Sequence, residues 1–64
     1  MKNQITFTMA QYKYKCFMYD VFNMSNVEYP SNEKSYNEKG AWILKDCWDN
    51  YLAMVLPNGQ VKIL

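Results

Sequence analysis

The sequence contains no histidine and no arginine. Without histidine it lacks the side chain most used as a general base at neutral pH and the commonest metal ligand. Without arginine it lacks the fork-shaped cation that grips phosphate and carboxylate through two parallel hydrogen bonds. Glycine occurs only as Gly40 and Gly59, far apart, so no glycine-rich loop is present to cradle a phosphate. The two cysteines, Cys16 and Cys47, fall short of the four nitrogen or sulfur ligands of a structural zinc site. Neither sign of charge dominates. Seven lysines against six acids leave a net charge of +1, which sets up no far-reaching field to draw in nucleic acid or an anionic membrane. No apolar run approaches the roughly 20 residues of a membrane span, and the opening MKNQITFTMAQYK has no apolar core of a signal peptide. The acid pairs Asp46/Asp49 and Glu33/Glu38 fall on turns and in a polar stretch, where solvated charge is the ordinary role. The expectation is therefore a cytoplasmic chain with free thiols that is not an enzyme, with no cofactor, no metal, no membrane insertion and no small-molecule substrate.

What the chain does have is apolar and aromatic material. Half of its 64 residues are hydrophobic and 17% are aromatic. A chain of this length makes one domain, residues 1–64, and buries only about 60% of its unfolded surface. Large rings bring much apolar area per ordered residue, which suits so short a chain. Lys, Asn, Tyr, Ile, Phe and Met are abundant while Arg is absent, a bias of low-GC genomes such as those of phages and mobile elements.

The clearest local signal is Tyr51–Leu64, YLAMVLPNGQVKIL. Asn58-Gly59 suits a two-residue type I′ turn, because both residues tolerate positive φ. That turn sets Leu56 against Val61 and Met54 against Ile63, and predicts an inner row of Leu52, Met54, Leu56, Val61 and Ile63. A third strand, Trp42–Cys47, returns through a Trp48-Asp49-Asn50 loop with Asn50 left-handed, adding Trp42 and Leu44 to that row. Lys2–Met9 alternates apolar with polar, and Tyr12–Phe22 is rich in strand-forming aromatics. Paired, they place Cys16 inward and Cys47 outward. The rival for this segment is a helix with Thr8-Met9-Ala10-Gln11 as a capping box, but on a helical wheel its apolar residues divide into two stripes rather than one face. The polar segment Asn23–Lys39 reads as a loop or a short helix capped by Ser31 and stopped by Gly40. The predicted fold is thus all-β, or β with one short helix: a small five-stranded antiparallel sheet or barrel in the order β-β-(loop or short helix)-β-β-β.

Two features bear on function. In YKYKCFMY lysines interleave with aromatics, and on a strand Lys13, Lys15, Phe17 and Tyr19 share a face, the pattern of a single-stranded nucleic-acid site. The second sheet face carries Phe17, Tyr19, Val21, Ile43, Tyr51 and Val55, more apolar surface than a soluble monomer usually leaves open. That face predicts a non-enzymatic binding module that occludes or tethers a protein partner, in the manner of a phage- or mobile-element-encoded inhibitor, or that forms a homo-oligomer. A small barrel binding single-stranded nucleic acid is the alternative.

Overall fold

The computed structural model describes residues 5–64. The chain enters not as a strand pair but as a helix, α1 (Phe7–Phe22). Of the expected first strand, residues 2–4 lie outside the described residues, and Ile5–Met9 leads into and forms the first turn of α1. The cause is a helical period hidden beneath the alternation. Phe7, Ala10, Tyr14 and Met18 recur at three- and four-residue intervals, so one turn after another meets the sheet. Ala10 and Tyr14 are buried, and Phe7 and Met18 pack at the edge of the same cluster. The N-cap is Thr6, whose Oγ1 accepts the Met9 N–H at 3.2 Å. The helix stops at Asn23, which takes the left-handed conformation at φ 56°, and the next N–H, of Met24, donates to the Met18 carbonyl.

Four strands follow: β1 (Tyr36–Glu38), β2 (Ala41–Lys45), β3 (Tyr51–Val55) and β4 (Val61–Ile63). They pair antiparallel in the order β1-β2-β3-β4, an open sheet of four strands rather than a five-stranded sheet or barrel. Helix α1 lies across one face over β2, β3 and β4. Between helix and sheet sit Ala10, Tyr14, Leu44, Ala53 and Val55, ringed by Ile5, Phe7, Val27, Trp42, Leu52 and Val61. Trp42 ties the helix entry down: its Nε1–H donates to the Ile5 carbonyl at 2.8 Å, and Phe7 meets its ring edge-on at 5.5 Å.

The hairpins shift the expected registers. The two-residue loop is Lys39-Gly40, where both residues have positive φ (55° and 90°), as a type I′ turn requires. At the Asn58-Gly59 turn only Gly59 is left-handed, at φ 94°. Gly59 N–H donates to the Leu56 carbonyl and Leu56 N–H to the Gln60 carbonyl, enclosing a three-residue loop, Pro57–Gly59. Pro57 decides this: its φ near −65° suits the first central position of a type I turn, with glycine closing it. Val55 therefore opposes Val61 and Ala53 opposes Ile63, so Met54 and Leu56 leave the inner row. Between β2 and β3 the loop is Cys47–Asp49, with Asp49 rather than Asn50 left-handed at φ 70°. Trp42 then faces Val55 and Leu44 faces Ala53, with an irregularity beside Leu44 and Lys45. Leu52 is the extra residue there. It packs against the core while Tyr51 turns to the opposite face with Lys45.

Ser31 caps a single turn instead of a helix reaching Lys39. Its Oγ accepts the Lys34 N–H, its carbonyl accepts the Ser35 N–H, and the chain enters β1 at Tyr36. This turn completes β2 where β1 has not begun: Ser31 N–H donates to the Lys45 carbonyl at 2.7 Å, and Ser35 Oγ accepts the Lys45 N–H at 3.0 Å. The Lys39-Gly40 turn is open to improvement, because lysine carries a Cβ penalty at positive φ that asparagine largely escapes. Lys39→Asn is expected to raise the unfolding free energy by about 0.5–1 kcal/mol, read from a urea midpoint. No gain would contradict the turn assignment.

Candidate functional site

Covering one sheet face with α1 leaves the other open. By register Tyr36, Ile43 and Met54 lie side by side across β1, β2 and β3 on this open face, and Lys62 continues the row on β4. Ile43, on a central strand between Tyr36 and Met54, is buried to 8% exposure. Toward the Lys45 end the face becomes aromatic. The Tyr36 phenol is raised above its ordinary range by the Tyr51 phenol beside it. Lys45 Nζ stands 4.6 Å over the Tyr51 ring and 2.8 Å from Asp49 Oδ1. The pairing with Asp49 raises the Lys45 ammonium and lowers the Asp49 carboxyl.

The adjoining loop presents Trp48, which at 71% exposure is the most exposed large apolar side chain among the described residues. The loop beneath it is built by Asp46. This carboxylate, on a residue only 4% exposed, accepts the Asn50 N–H at 2.8 Å and the Trp48 N–H at 2.9 Å on Oδ1, and the Asn50 side-chain amide at 3.3 Å on Oδ2. The Asn50 backbone bond is the main reason the carboxyl lies below its ordinary range, and the Asn50 amide and Trp48 N–H add to it against the cost of burial. A carboxyl depressed in the folded state contributes stability that is complete above the ordinary carboxylate range and is lost as pH falls through the folded value. Stability is therefore expected to fall below about pH 4. Asp46→Asn should flatten that acid limb in a series of thermal midpoints. An unchanged acid limb would assign the loss to other carboxyls.

The outer face of α1 carries the second of its two apolar stripes. Met9, Tyr12, Cys16 and Tyr19 recur at i, i+3, i+7 and i+10, and all are exposed. Tyr12, Cys16 and Tyr19, with Lys15, Asp20 and Met24, border an open groove of about 300 Å³. The Cys16 thiol, one turn along the helix, raises the Tyr12 phenol above its ordinary range.

The residues expected to share one strand face are therefore dispersed. Lys13 and Lys15, and likewise Phe17 and Tyr19, are two apart on a helix and point to different sides. Lys13 reaches toward Gly59, Lys15 stands 5.4 Å over the Tyr29 ring, and Phe17 packs edge-on to Phe22 at 6.2 Å. Tyr19 and Val21 are exposed. Val55, expected on the outer face, is fully buried beneath α1, whereas Ile43 and Tyr51 do lie on the open sheet face. Cys16, expected inward, is exposed, as is Cys47. Tyr36 and Trp48 escaped the sequence reading. The signal for Trp48 was present in Asp46-Cys47-Trp48-Asp49, since an aspartate opening a tight turn hydrogen-bonds the backbone two residues on.

Among the described residues no cluster of three or more Cys, Asp or Glu side chains is placed to hold a metal ion, and no helix is long and apolar enough to cross a membrane. Comparison with protein-family models, with curated proteins and with solved structures finds no match.

Proposed function

We propose that this chain is a non-enzymatic protein-binding module whose docking face is the aromatic end of the open sheet: Tyr36, Tyr51 and Trp48. The observation that carries the reading is Trp48. A large indole stands in solvent on a loop that Asp46 holds with three hydrogen bonds, so the loop beneath the ring needs little further ordering on binding. Exposed tryptophan and tyrosine on a rigid support are the residues that dominate protein interfaces when buried by a partner. A small rigid face of this kind suits occlusion of a partner's surface or attachment to it, including inhibition of a host protein if a phage or mobile element encodes the chain.

The alternative, single-stranded nucleic acid, draws on the tyrosines and Lys62 of the same face. Lys45 is already paired with Asp49, which leaves little free positive charge beside the rings. The test is affinity capture from a nuclease-treated lysate of the source cell, followed by binding measurements with the protein recovered. Trp48→Ser is expected to weaken that complex by about 2 kcal/mol or more, roughly 30-fold in Kd, with an unchanged thermal midpoint. A Trp48→Ser protein that binds like wild type would sink the reading. Nuclease-sensitive capture with steep salt dependence would favour nucleic acid.

A further inference from the structure

We propose that the outer face of α1 is a homodimer interface, in which two copies pack their helices antiparallel about a two-fold axis beside Cys16. This goes beyond the sheet-face reading and rests on different residues. The stripe Met9, Tyr12, Cys16 and Tyr19 has the seam spacing of a paired helix, and every member is exposed although the inner stripe already anchors α1 to the sheet. Its borders are complementary to themselves. Lys13 and Asp20 are seven residues apart and so lie on the same flank of the helix. Both are exposed, and among the described residues neither has an ion-pair partner. In an antiparallel two-fold pair, like flanks meet. An axis beside Cys16 then sets Lys13 of each copy level with Asp20 of the other, giving two symmetry-related ion pairs.

The same axis sets Met9 of each copy level with Met24 of the other, both apolar and half-exposed, and brings the two Cys16 thiols together. Tyr12 of the second copy enters the groove bordered by Tyr19 and Met24. Lys15 borders the same groove from the opposite flank, with its ammonium over the Tyr29 ring. A parallel pairing or a slipped axis would lose the Lys13–Asp20 match, so the charges specify both orientation and register. Because α1 covers one side of the sheet, pairing through α1 leaves both open sheet faces pointing outward. The dimer presents the Trp48 surface twice, as a bivalent tether.

The experiment measures mass by light scattering and Kd by analytical ultracentrifugation on the full chain. Wild type is expected to dimerise. Lys13→Glu and Asp20→Lys each place two like-charge pairs in the seam and should raise Kd by about ten-fold or more. The double variant Lys13→Glu/Asp20→Lys restores opposite charge and should return to within about three-fold of wild type. In a Cys47→Ser background a short bis-maleimide should link two chains through Cys16, and a Cys16→Ser protein should give no covalent dimer. Thermal midpoints confirm that each variant folds. A monomer at all concentrations, a double variant no tighter than the singles, or the absence of Cys16 cross-linking would each overturn the proposal. Trp48→Ser should dimerise like wild type, so failure of the sheet-face reading and failure of this one are separable.

Discussion

Leu44→Ala is expected to destabilise the protein by about 2–5 kcal/mol, as a large-to-small change at a fully buried site. Leu44 stands on central strand β2, opposite Ala53 and beneath α1, where small neighbours cannot extend to fill the space it would leave. Small domains hold only about 5–15 kcal/mol in total, so the variant sits close to its unfolding transition at room temperature. Leu56→Ala is the matched control. The same chemistry at a half-buried position outside the helix–sheet core should cost clearly less. Urea titrations of the two variants decide the register. A larger loss at Leu56 than at Leu44 would restore the two-residue Asn58-Gly59 turn and its inner row.

Tyr14→Ala is expected to cost about 3–5 kcal/mol, the range for truncating a buried aromatic. The ring is 4% exposed and joins Ala10 from α1 to Leu44, Ala53 and Val55 from the sheet. Burial, with the nearby Glu28 charge adding to it, raises its phenol above the ordinary value. Among the described residues α1 is the element that packs over this face at β3, so losing the ring removes a central contact between the two layers, beside those of Ala10, Phe7 and Met18. Val21→Ala, at an exposed position of the same helix, should stay within about 0.5 kcal/mol. Near-ultraviolet circular dichroism separates detachment of α1 from global unfolding. Equal losses at Tyr14 and Val21 would contradict the assignment of the inner helix face.

The site was legible in part. Ile43 and Tyr51 were expected on an uncovered sheet face and lie there. Val55 was expected with them, but Pro57 moved the β3–β4 register by one residue, and a one-residue shift exchanges the faces of a strand. Phe17, Tyr19, Lys13 and Lys15 were grouped by a period of two, whereas α1 distributes them by a period of 3.6. Two apolar stripes argue against a helix wherever a single buried face is expected. One stripe is the core contact and the other is the proposed dimer seam, so the same feature has a tertiary reason that local pattern lacks.

Taken alone, the sequence determined three hairpin-forming strands near the C-terminus, turns near Trp48–Asn50 and at Asn58-Gly59 though not their lengths, and a polar connection with a cap at Ser31, where a helix was expected and a single turn stands. These depend on backbone preferences that act within four or five residues. Whether Phe7–Phe22 is helix or strand, and which stripe of that helix is inward, were decided only by packing. The deciding contacts join residues distant in the chain: Tyr14 on Ala53 and Val55, Trp42 on Ile5, and Ser35 on Lys45. Local propensity differs by less than about 1 kcal/mol per residue between helix and strand. Burying one aromatic side chain outweighs several such preferences, so the choice falls to whichever arrangement closes the core.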